Sequence, residues 1–101
     1  MEYRIIKSPS KSTLQIIMKR TSLNIEISPE EIHAIGLVQG RMIDMICAVD
    51  IAEKSAGVTV SDVKGNCPQN LIMIGIFGDT SSVESAISEI KSNFEKGNKL
   101  C

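Results

Sequence analysis

The run Leu71-Ile72-Met73-Ile74-Gly75-Ile76-Phe77 constrains this chain most. It is far shorter than the roughly 20 residues a membrane helix needs, and it ends at the turn signal Gly78-Asp79. A short, β-branched, continuously apolar segment of this kind reads as a strand in the interior of a sheet. A second strand, Ala34-Ile35-Gly36-Leu37-Val38, has the same character. Between them Met42, Met45, Ile46, Val49, Ala52 and Ala56 fall on one helical face, and Gly57 stands at the helix stop. Val58 and Val60 then alternate with Thr59 and Ser61, as in a half-buried strand. After Gly78-Asp79-Thr80-Ser81 a second helix carries Val83, Ala86, Ile87, Ile90 and Phe94, with Ser81 and Glu84 as its capping box and Gly97 at its end. From Ala34 the order is therefore β-α-β-β-α. This is an α+β, ferredoxin-like pattern: an antiparallel sheet with helices packed on it.

The first third of the chain is less regular. Tyr3 to Ile6 is β-prone, and Ser8-Pro9-Ser10 breaks it. Thr13-Leu14-Gln15-Ile16-Ile17-Met18 reads as a strand, and Leu23, Ile25 and Ile27 alternate as in another short extended piece. Ser28-Pro29-Glu30-Glu31 has the cap, proline and acidic residue of a brief helix start. With 101 residues the chain holds one domain. Its parts are an N-terminal extension (1–10), a strand and short helix (11–33), the β-α-β-β-α core (34–97) and a tail (98–101). Two helices cover one sheet face only, so self-association is expected.

Several function classes have no support. Eleven basic against twelve acidic residues leave a formal charge of −1, which gives no electrostatic pull toward nucleic acid or anionic membranes. Tyr3, Phe77 and Phe94 are the only aromatics, too few for a base-stacking platform. No apolar leader follows Met1, so no secretory signal is expected. Cys47, Cys67 and Cys101 form no C-x-x-C and are odd in number, which argues against a disulfide framework and for a reducing compartment. Cys47 then reads as a small packing residue in its helix, and Cys101 as a bystander at an exposed end. His33 is the only histidine and has no nucleophile motif beside it, so it reads as a strand-start or interface residue. No phosphate-binding glycine loop or nucleophile elbow is present, and an enzyme is not expected. The five methionines read as core filling, and no partner for Arg41 is indicated.

From Ala34 to about Ile90 the chain resembles the bacterial microcompartment (BMC) shell domain. The resemblance rests on Ala34-Ile35-Gly36-Leu37-Val38, on Ala48-x-Asp50-x-x-x-Lys54-x-Ala56-x-Val58, and on Gly78-Asp79 followed by Val83-Glu84-x-Ala86. The segment ahead of Ala34 resembles the circularly permuted members, in which elements that usually close the domain come first. Permutation is cheap where chain ends lie close together at the surface. The resemblance implies a homohexamer that tiles with other shell proteins, within the cytoplasmic shell of a bacterial microcompartment. It also implies that Tyr3 to Ile6 forms a small barrel around the sixfold axis, and that Lys54 packs at the hexamer edge.

Gly65-Asn66-Cys67-Pro68-Gln69, between the last two strands, resembles the loop of GrpU-type shell proteins from glycyl-radical microcompartments. That resemblance implies a pore loop whose Cys67 binds an iron–sulfur cluster, with a role in electron transfer across the shell or delivery to encapsulated redox enzymes. A [4Fe–4S] centre takes about four cysteine ligands, so one chain cannot hold it, whereas a hexamer presents six copies of Cys67. Pro68 biases Cys67 toward an extended backbone, and Gly65 permits close approach of the chain. Thiolates also bind zinc and exposed clusters decay in air, so aerobic preparations are expected to lose or exchange the cluster. The alternative is a metal-free shell subunit whose pore passes or blocks small metabolites.

Overall fold

The computed structural model describes residues 1–21, 28–55, 57–65, 71–97 and 99–101. Leu23, Ile25, Ile27 and Ala56, read above as extended or helical, lie outside the described residues, as do Asn66, Cys67, Pro68 and Gln69. Among the described residues four strands and three helices form in the order β1 (Glu2–Lys7), α1 (Lys11–Arg20), β2 (Ala34–Arg41), α2 (Met42–Glu53), β3 (Val58–Val63), β4 (Leu71–Gly78) and α3 (Thr80–Glu95). A single 3₁₀ turn, Pro29–Glu31, precedes β2. It keeps the expected brevity, and Ser28 Oγ donates to Glu31 Oε1 at 3.0 Å.

The strands form one antiparallel sheet ordered β1-β2-β4-β3. The two apolar segments pair centrally over eight residues, from Ala34 opposite Gly78 to Arg41 opposite Leu71. Side chains alternate across the sheet, so each strand feeds two cores. On one face Ala34, Val38, Ile74 and Ile76 meet Met45, Ala48 and Ala52 of α2 and Val83, Ala86, Ile87 and Ile90 of α3. Gly36 keeps α3 close, because a Cβ there would stand 3.1 Å from both Ile87 Cδ1 and Val83 Cγ1. On the other face Ile32, Ile35 and Phe77 are buried, with Ile6, Leu14, Ile17, Met18 and Leu37 packed around them.

That second core corrects the reading of Thr13–Met18, which is helical. Ser10 Oγ accepts the Thr13 N–H at 3.2 Å and starts the helix. Leu14, Ile17 and Met18, spaced i, i+3 and i+4, then lie half-buried against the sheet, while Ile16 stays 57% exposed. The β-branched composition gives way because a helix places these three side chains on one face. The sheet face left open by α2 and α3 is thus partly covered by α1.

Tyr3 to Ile6, expected as a barrel strand, lies in β1 and pairs within its own chain. The strand pairs with β2 from Glu2 opposite Gln39 to Lys7 opposite Ala34, and so completes the sheet of its own chain. Pairing there satisfies the backbone groups along one side of β2. Tyr3 packs on the first core and Ile6 on the second.

Two further details differ from expectation. Met42 and Ile46 of α2 point outward, 52% and 67% exposed, because the sheet-facing stripe is Met45, Ala48 and Ala52. The small alanines allow the helix to lie close to the sheet, and the apolar residues wrap around more of α2 than one face can bury. At α3 the cap is Asp79 rather than Ser81: its Oδ1 accepts the Ser82 N–H at 2.7 Å and the Ser81 hydroxyl at 3.1 Å. Glu84 is engaged elsewhere, 3.4 Å from Lys7 Nζ. Gly97 follows the α3 cap Lys96 with φ 67°, as expected, whereas α2 ends earlier than expected, at Glu53 with cap Lys54, and Gly57 (φ 84°) turns the chain three residues beyond that cap.

Two outcomes follow from this packing. Phe77→Ala empties the centre of the second core and costs about 3–5 kcal/mol, read from urea denaturation. The hydrogen bonds from the Ser82 backbone and the two serine side chains hold the Asp79 carboxyl below its ordinary range. A depressed folded pKa stabilises above the unfolded value and is lost as pH falls through the folded one. Asp79→Ala therefore lowers the thermal midpoint at neutral pH, and its gap from the parent closes as acid protonates Asp79.

Candidate functional site

The loop between β3 and β4 leaves the sheet at the end opposite Gly78. Its described base is braced from two sides. The Lys64 N–H donates to the Arg20 carbonyl at 2.6 Å, and Arg20 Nη1 donates back to the Lys64 carbonyl at 3.4 Å. Thr21 forms a bridge with Val63, and its hydroxyl donates to the Met18 carbonyl at 2.9 Å. The C-terminus of α1 thereby fixes the outgoing strand. The incoming strand starts at Leu71 opposite Arg41, which is the N-cap of α2.

The same end of the sheet gathers Met1, Glu2, Gln39, Arg41 and Asp44 around Leu71 in a shallow depression. The C-terminus of α3 reaches this end too. Lys91 Nζ lies 5.0 Å from the Tyr3 ring centre, and the Tyr3 phenol is shifted up by burial and then by the Glu95 and Asp44 carboxylates. On the α1 side a groove between Ile17, Arg20, Leu37, Val63 and Met73 runs up to Gly65.

Of the expected loop residues, Gly65 is described. A Cβ there would meet nothing within 4 Å among the described residues. Asn66, Cys67, Pro68 and Gln69 lie outside the described residues, and their expected roles are taken up as a proposal below. Among the described residues no three His, Cys, Asp or Glu side chains form a metal-binding group. Lys54 closes α2, and its Nζ lies 2.7 Å from Asp50 Oδ2, with the two side chains 68% and 47% exposed. An exposed pair of this kind contributes a few tenths of a kcal/mol at most, so both groups can exchange partners at little cost. His33 is exposed and has a backbone role: its carbonyl accepts the Ser8 N–H at 2.8 Å and its N–H donates to Gly78 at 3.0 Å.

The cysteines bring the largest correction. Cys47 and Cys101 form a disulfide, with Cα atoms 5.4 Å apart and positions 54 apart in sequence. Cys47 is therefore not simple packing, nor is Cys101 a bystander. The spacing hid this, because only the antiparallel return of α3 along α2 carries the chain end back to the middle of α2. Closing such a loop removes about 4 kcal/mol of unfolded-state entropy. Ordering tail residues 99–101 costs about 1–2 kcal/mol each and offsets most of that. The link positions the tail more than it stabilises the domain. Of the three cysteines in the sequence, Cys67 remains for other chemistry.

The BMC domain family model matches residues 34–101. The chain belongs to the BMC domain family. Among solved structures it is similar to the ligand-free GrpU microcompartment shell protein from Clostridiales bacterium 1_7_47FAA, with 47% identity over 96% of this chain and 95% of that one and a TM-score of 0.74. The ligand-free GrpU microcompartment shell protein from Pectobacterium wasabiae is 30% identical over 89% of this chain and 99% of that one, with a TM-score of 0.69. No curated protein matches the chain. The role shared with these relatives is structural: this is a GrpU-like protein of a bacterial microcompartment shell.

The cysteine assignment makes a direct prediction for the purified chain. Alkylation without reductant, followed by peptide mapping, recovers Cys47 linked to Cys101 and modifies Cys67 alone. A Cys67 peptide joined to either of the others breaks the assignment.

Proposed function

We propose that this shell protein is a hexameric tile whose 65–69 loop borders a central pore, and that several Cys67 thiolates from different subunits hold one iron–sulfur cluster there. The observation that carries the reading is the similarity along nearly the whole chain to a GrpU shell protein, at 47% identity. The Gly65-Asn66-Cys67-Pro68-Gln69 loop and the disulfide support it together. With Cys47 and Cys101 joined to each other, a single chain offers one cysteine, so a cluster that takes about four requires several copies. When bound, such a centre supplies one-electron redox chemistry at the pore.

The parts of this chain have separate tasks in that assembly. Cys67 provides the ligand, and Pro68 restricts the backbone that presents it. The α1 brace on Lys64 holds one base of the loop in register, and the β4 pairing holds the other. The exposed Lys54 serves at the edge between tiles, where other shell proteins join. The strand β1 and helix α1 stand ahead of the family match at 34–101, which fits the permuted order of elements. The role in the shell is to carry electrons across it or deliver a cluster to encapsulated redox enzymes.

Anaerobic purification followed by iron and sulfide analysis tests the cluster, and the mass of the same sample tests the hexamer. Cys67→Ser is expected to remove bound iron and its visible absorption while sparing the oligomer. Iron retained in that variant overturns the site. A parent hexamer free of iron under anaerobic conditions leaves a metal-free tile, whose pore acts only as a passage or barrier for metabolites.

A further inference from the structure

The outer face of α2 brings together two features that the pore reading does not use. One is an apolar surface: Met42, Ile43 and Ile46 are 52%, 79% and 67% exposed. The other is the disulfide that fastens the chain end to Cys47 on the same helix. Ile43, Cys47, Asp50 and Lys54 follow at steps of four, three and four residues and so share one face. The Cα of Cys101 lies 5.4 Å from that of Cys47, and neighbouring Cα atoms are about 3.8 Å apart, which keeps Leu100 within about 9 Å of Cys47. Leu100 is nevertheless 87% exposed. The fastened tail therefore enlarges the apolar surface instead of covering it.

We propose that the Cys47–Cys101 pair is a redox latch that, when oxidised, adds Leu100 to the apolar face of α2 and strengthens the docking of a second copy of this chain there. The choice of a second copy rests on the shell reading above and on charge. Asp50 and Lys54 give the face one negative and one positive group, both exposed. A twofold contact sets each Lys54 against the other chain's Asp50, so the face is complementary to itself.

The chemistry needs a disulfide-bearing oxidant such as glutathione disulfide. The exposed Cys101 thiolate attacks one oxidant sulfur, forming a mixed disulfide and releasing one glutathione thiolate. The half-buried Cys47, as thiolate, then attacks the Cys101 sulfur, closes the internal bond and releases the second. Two cysteine thiols lose two electrons and two protons in total, and the oxidant becomes two thiols. A dithiol reverses the exchange and frees the tail.

The full chain is equilibrated in glutathione buffers from reducing to oxidising, and two quantities are read in each. Mass spectrometry follows the peptide linking Cys47 to Cys101, and sedimentation follows self-association against concentration. Oxidation of the parent is expected to lower the concentration at which assemblies join by about a hundredfold, the scale of burying one leucine side chain from each chain of the twofold contact. Cys101→Ser and Cys47→Ser are expected to stay at the reduced level in every buffer. Leu100→Ser is expected to form the link without the gain in association. Absence of the link at any poise overturns the latch, and a link with unchanged or weaker association overturns the docking. Oligomer mass in the fully reducing buffer reports on the shell reading separately: a monomer there counts against the tile, whereas a hexamer with no redox response counts against the latch surface alone.

Discussion

The antiparallel pairing of β2 with β4 is the constraint on which the rest depends. Eight residues of each strand meet in register, and apart from Gln39 and Arg41 of β2 they present only apolar side chains or glycine to both faces of the sheet. Such a pair is stable only if each face is covered, and burial contributes about 1.5–3 kcal/mol for each large apolar side chain. The helices α2 and α3 take one face, and α1 takes part of the other. The Gly78 end of the pair turns into α3, and at the opposite end Leu71 of β4 lies beside Arg41 and Met1.

The domain thus divides its duties between a braced loop end and an outward helix face. The brace at the loop base joins a backbone hydrogen bond and a β-bridge to side-chain bonds from Arg20 and Thr21. The helix face carries exposed isoleucines, a neutralising ion pair and a covalently held tail.

Much of this was legible in the chain. Periodicity and stop signals located β2, α2, β3, β4 and α3 close to their observed bounds, because long apolar patterns and left-handed glycines are local properties. The family resemblance in the same segment was legible too, from Ala34-Ile35-Gly36-Leu37-Val38 and Gly78-Asp79. The N-terminal third was harder. Thr13–Met18 has strand-forming residues, yet Ser10 and the i, i+3, i+4 spacing of Leu14, Ile17 and Met18 were the signals of a helix. Asp79 likewise competed with Ser81 for the cap, and hydrogen-bond geometry selected the earlier residue.

What the sequence determined by itself is the set of elements from Ala34 onward, the presence of one cysteine in a Gly-Asn-Cys-Pro-Gln segment, and a near-neutral formal charge of −1. Each follows from local spacing or from composition, which no packing can change. Tertiary structure alone decided that β1 completes the sheet, that Met42 and Ile46 of α2 face outward, and that Cys47 meets Cys101. These depend on which surfaces come together across 30 residues or more, where competing arrangements bury similar apolar area. Only the assembled sheet, with α3 returning along α2, chooses among them.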